Sequence, residues 1–96
     1  MVTKEMVVKQ INHRINPKNH LLSSHQEMMM FVVLHRLYKL YDEMCLDKEK
    51  TLSNDEFGNL LYSSDLSDLV DDDVSKILDI RHKYYEGELK PEKVPQ

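Results

Sequence analysis

Residues 63–79, SSDLSDLVDDDVSKILD, hold six aspartates (Asp65, Asp68, Asp71, Asp72, Asp73 and Asp79) and a single base, Lys76. Carboxylates at this density can bind a divalent cation, attract a basic macromolecule, or favour the start of a helix. The helix dipole rewards one or two of them, at about 0.3–1 kcal/mol each. It does not account for five acids within residues 65–73, because neighbouring like charges repel. Their spacing matches no oxygen cage for a cation. The surplus therefore points to a basic partner, drawn to the segment most strongly at low salt. Tyr62, Tyr84 and Tyr85 flank the acids. They are read as binding anchors, since aromatic side chains often dominate interface energy. The alternative is a core-edge position with the hydroxyl reaching water.

Other chemistry is weakly signalled. Asp47–Phe57, DKEKTLSNDEF, lies between two helical stretches as a calcium loop would. With Glu56 as the closing ligand, however, the first ligand falls on Cys45 and the turn glycine on Lys50, so no metal is expected. The histidines (His13, His20, His25, His35 and His82) form no tight pair of the kind zinc needs. They read as scattered surface residues. Cys45 follows Glu43 and Met44 near a helix end, where a thiolate is not stabilised, and is expected to be a buried or half-buried structural thiol. No nucleophile sits in an evident catalytic set, no glycine pair cradles a phosphate, and no cofactor is expected.

Arg14 to His20, RINPKNH, resembles the Arg-x-His signature of the helical HEPN-fold ribonucleases, with five residues between the two. That resemblance would make Arg14 and His20 nuclease residues at a dimer cleft. Pro17 lies between them and breaks the helix that would hold both. The enzyme reading is therefore set aside.

The elements that position these residues are helical. Ninety-six residues make one small domain, expected over 1–87, with a flexible tail over 88–96. Two glycines and three prolines are too few for a sandwich or barrel. The first helix spans about 3–15, with Thr3 as N-cap and a stripe of Val7, Val8, Ile11 and Ile15. Leu21 and Leu22 are expected to fold back onto the core. Ser24 to Glu27 has the form of a capping box and opens a long helix over about 24–45. Ser53 to Glu56 opens a short one with Phe57, Leu60 and Leu61 inward. The last starts within 71–73, runs to about Glu86 with Val74, Ile77, Leu78, Arg81 and Tyr84 or Tyr85 on its stripe, and stops at Gly87. The expected fold is all-α, four helices built around the long second one.

That second helix changes character along its length. Leu37, Leu40, Tyr41 and Met44 are expected inward, with Arg36, Lys39, Asp42 and Glu43 outward. Its first half, MMMFVVL, is apolar on every face and must be covered all round. Either the other helices cover it, or a second chain does, through Met28, Met29, Met30, Val32 and Val33. Periodicity cannot separate these, because a core and an interface are equally apolar.

The formal charge of −4 is unevenly placed. Residues 1–46 carry six bases and four acids, and residues 47–96 carry seven bases and thirteen acids. Phosphate repulsion opposes direct nucleic-acid binding by the second half. No segment is long and apolar enough to cross a bilayer. The lone cysteine favours a reducing compartment, and a cytoplasmic chain is expected. The expected function is non-enzymatic. The protein would neutralise a basic or nucleic-acid-binding partner protein, in the manner of antitoxins, immunity proteins or phage-encoded inhibitors. The alternative is a homodimeric structural or regulatory subunit joined through the apolar half of the second helix.

Overall fold

The computed structural model describes residues 1–15 and 23–91. Four helices follow in order: α1 (Lys4–Arg14), α2 (Ser24–Leu46), α3 (Asn54–Tyr62) and α4 (Asp71–Tyr85). No strand occurs among the described residues, and the chain is a small all-α bundle. Among the described residues every close approach of two helix backbones involves α2. The backbones of α1, α3 and α4 each approach α2 and not one another, so the long helix is the spine.

Local chemistry sets the helix starts. Thr3 caps α1 by accepting the Met6 N–H at 3.2 Å. The capping box of α2 is one residue earlier than the sequence pattern suggests. Ser23 accepts the Gln26 N–H at 3.2 Å, and the Gln26 side chain accepts the Ser23 N–H at 2.9 Å. In α3, Ser53 and Glu56 form the expected box. Gly87 ends α4 at a φ of 71°, a conformation glycine adopts without penalty. Its N–H binds the Tyr84 carbonyl while that of Glu88 binds Lys83 O, so two terminal carbonyls are satisfied.

The stripe of α1 is buried as expected: Val7, Val8, Ile11 and Ile15 all lie in the core, joined by Val2. Val2 also donates its N–H to the Leu52 carbonyl, tying the chain start to the connector before α3. On α2, Phe31, Val32, Val33, Leu34, Leu37, Leu40 and Met44 are buried. Each such side chain contributes roughly 1.5–3 kcal/mol of burial free energy. The three surrounding helices thus cover the apolar half of α2 from Phe31 onward. Of the two readings of this half, cover by the other helices or by a second chain, Val32 and Val33 follow the first: they are core of the single chain, 2% and 5% exposed. Met29 and Met30 pack half-buried against that core, and Met28 is exposed.

α3 runs back along α2, from the Glu43–Lys50 ion pair at 3.6 Å to Arg36 at its far end. Arg36, expected on the outer face, turns inward over the C-terminus of α3. Its guanidinium donates to the carbonyls of Leu60 (3.2 Å), Ser63 (2.8 Å) and Asp65 (3.0 Å). One planar fork thereby satisfies three carbonyls where α3 ends and the next loop begins. That loop makes a single turn, closed by Leu69 N–H to Leu66 O, with Leu66 and Leu69 packed on the core. Leu89, beyond α4, also packs there. Leu21 and Leu22 lie outside the described residues, as do residues 92–96 of the expected tail.

Candidate binding surface

α4 lies antiparallel to α2 and is fixed at three levels. Arg81 meets Glu27 at 3.4 Å, Tyr84 packs edge-on against Phe31 at 5.4 Å, and Asp73 meets His35 at 2.9 Å. Asp73 is not part of the outer acidic surface. Its Oδ1 accepts from His35 Nε2 and its Oδ2 accepts the Val70 N–H at 3.1 Å. The second bond closes the first turn of α4, and the first docks that turn on α2. Both bonds favour the ionised form and hold the carboxyl below its ordinary value, the Val70 N–H contributing most. His35 is correspondingly buried, at 5% exposed. The reading of all histidines as surface residues therefore fails at His35. His13, His25 and His82 are exposed, and His20 lies outside the described residues.

Once Asp73 faces α2, the helical period brings Ile77, Ile80 and Tyr84 to the same face. These form the inward row of α4. Of the stripe expected from sequence, Ile77 and Tyr84 do face inward, whereas Val74, Leu78 and Arg81 lie about a quarter-turn away and face solvent. Val70, Val74 and Leu78 are 61%, 45% and 57% exposed. Their four-residue spacing makes one straight apolar ridge. Tyr85 extends the same side and is also exposed. Its ring stacks edge-on with Phe31 and Tyr84, and its hydroxyl donates to Glu27, raising the phenol pKa. Tyr84 is half-buried and belongs to the core edge rather than to an outer surface.

The remaining aspartates divide between two situations. Asp72 and Asp79 pair along the helix with Lys76 and Lys83, at 3.1 and 3.0 Å. Asp65 accepts the Ser67 N–H at 3.0 Å, and its pKa is lowered chiefly by that bond. Asp68 and Asp71 are exposed and have no ion-pair partner among the described residues. They stand on either side of Val70 in the chain. Tyr62 is 79% exposed at the end of α3. Its hydroxyl interacts with Arg14, whose own pKa burial lowers.

Three clefts flank these elements. One of about 560 Å3 lies between α2 and α3, with Asp65 and Asp68 at its edge beside Arg36 and Lys39. A second, of about 680 Å3, runs between α2 and α4, with His35, Tyr38, Asp73 and Ile80 on its walls. Lys39, Lys76, Lys83 and Lys90 face Asp42, Asp72, Asp79 and Glu88 around it, so neither sign dominates. Another, of about 520 Å3, is bordered by His13, Arg14, His25 and Tyr62 over Met29, Met30 and Val33. Among the described residues, no three His, Cys, Asp or Glu side chains converge to hold a metal. In the loop between α2 and α3, Asp47 accepts the Glu49 N–H and Glu56 serves the capping box. Cys45, expected to be buried or half-buried, is exposed near the end of α2. Among the described residues, no helix is long and apolar enough to cross a membrane.

Comparison of the chain with protein-family models, with curated proteins and with solved structures gives no significant match.

Proposed function

We propose that the protein is a small non-enzymatic binding module that captures and neutralises a basic partner protein, such as a toxin or nucleic-acid-binding enzyme. The observation that carries this reading is the solvent-facing acidic end formed by the loop before α4 and its first turn. Asp68 and Asp71 project there without an ion-pair partner among the described residues, around the 61% exposed Val70. Helix capping has no need of Asp68, which precedes the helix. Its repulsion from Asp65 and Asp71 is an electrostatic cost that a basic partner would relieve. Val70 supplies apolar area to bury at the same place, with Asp65 and Asp72 widening the field. Tyr62 is a more distant anchor.

The test is capture at low salt on the immobilised chain, compared with Asp68→Lys. A basic protein that elutes between low and moderate salt from the wild type, and is not retained by the variant, is the expected result. Asp68 is a surface position, so the variant should keep its stability to within about 0.5 kcal/mol. Equal retention on both columns, or no retained basic protein, would remove the proposal.

A further inference from the structure

We propose that a second copy of this chain packs against the outward ridge of α4, antiparallel to it, with Val74 of each copy against Leu78 of the other. Val70, Val74 and Leu78 stand four residues apart and are 45–61% exposed. Among the described residues no helix other than α2 contacts α4, and α2 lies on the inward row. A ridge of side chains at this spacing is the surface that seats in the groove of another helix.

Charge decides which helix that is. α4 begins with Asp71, Asp72 and Asp73 and ends with Arg81, His82 and Lys83. A second α4 lying antiparallel meets the opposite sign at both ends, and the two helix dipoles also oppose. A parallel copy would set acids against acids. A uniformly basic helix would suit Asp71 but would face Arg81 and His82 with its own charge. In the register that pairs Val74 with Leu78, the same two-fold axis sets Asp71 opposite Arg81, twice. Asp71 has no ion-pair partner among the described residues, and Arg81, 55% exposed, uses Nε for Glu27 at 3.4 Å and lies 5.4 Å over the Tyr85 ring, which leaves its two terminal nitrogens for a second carboxylate. Both are therefore available for the new pair.

Asp65 and Asp68 precede the helix and stay outside the seam, whereas Val70 and Asp71 belong to both surfaces, so the dimer and the capture of a basic partner compete for that end of α4. A seam one helix wide is narrower than a standard interface of about 800 Å2 per partner. Association is therefore expected to be concentration-dependent within an accessible dilution range.

Sedimentation equilibrium of the full chain over a dilution series tests this. The wild type is expected to move from monomer to dimer. Leu78→Asp, at an exposed position, is expected to stay monomeric with an unchanged helical circular dichroism signal. Asp71→Arg and Arg81→Asp should each weaken association about tenfold, and the double variant should restore most of it. A wild type that is monomeric at the highest concentration reached would overturn the proposal. So would a dimer that survives Leu78→Asp, or a double variant without rescue.

Discussion

His35 and Asp73, 38 residues apart in sequence, share a hydrogen bond of 2.9 Å that fixes the rotation of α4 on α2. The Asp73 side chain is only 13% exposed and that of His35 only 6%. The same carboxylate closes the first turn of α4 through Val70. One residue therefore joins the local start of a helix to its tertiary placement.

Removing His35 should cost stability through this pair. His35→Ala leaves the Asp73 carboxylate without its ring partner, and a lower midpoint of urea unfolding is expected. The acid limb gives a second readout. The folded pKa of Asp73 lies below the ordinary 3.8. Its contribution is therefore complete above 3.8 and lost as pH falls through the folded value. The wild type should exceed Asp73→Asn in stability near neutral pH, with the gap closing on acidification below that range. A gap that stays constant down to strongly acidic pH would contradict the assigned role.

Arg36 carries the junction between α3 and the next loop. Arg36→Ala should destabilise the protein by about 2 kcal/mol, because three carbonyls lose a charged donor. Arg36→Lys should restore little, since one ammonium cannot span the three acceptors. Amide exchange over residues 63–70 should accelerate in both variants. Exchange unchanged in that segment would show that the loop is held by its leucines instead.

The two serines at the start of α2 separate local pattern from structure. Ser23→Ala should cost about 1 kcal/mol, the ordinary value of an N-cap. Ser24→Ala should cost far less, because Ser24 is already the first helical residue. Thermal unfolding of the two variants decides this directly, and the reverse order would move the cap back to Ser24.

The apolar half of α2 is core, so charge there should unfold the chain rather than split a dimer. Val33→Asp is expected to lose its cooperative unfolding transition and its helical circular dichroism, because it buries an unpaired carboxylate at a 5% exposed site. A folded monomer would instead support Val33 as an interface residue. Cys45 should react with a thiol reagent in the native protein at close to the unfolded rate, as its exposure requires.

The helices themselves were legible because their signals are local. Thr3, the Ser53–Glu56 box and Gly87 act within a few residues, and the stripe on α1 is the sole apolar row that helix offers. The displacement of the α2 cap by one residue reflects two adjacent serines, each followed three places on by a side chain able to reach back. Burial on α4 was not legible in the same way. That helix carries two apolar rows, Ile77–Ile80–Tyr84 and Val70–Val74–Leu78, and amphipathic periodicity does not say which one faces inward. Tertiary structure chose between them, through a histidine 38 residues away that required Asp73 at its side.

The acidic segment divides along the same line. Its composition alone established a local excess of negative charge. Only the folded chain sorted the carboxylates: Asp73 turned inward, Asp72 and Asp79 paired along the helix, and Asp68 and Asp71 exposed without an ion pair among the described residues. The physical reason is range. Capping, turns and helix-dipole effects act over one turn and are written in neighbouring residues. The face of a helix that is buried, and the partner of a buried polar group, depend on contacts between segments that the sequence keeps far apart.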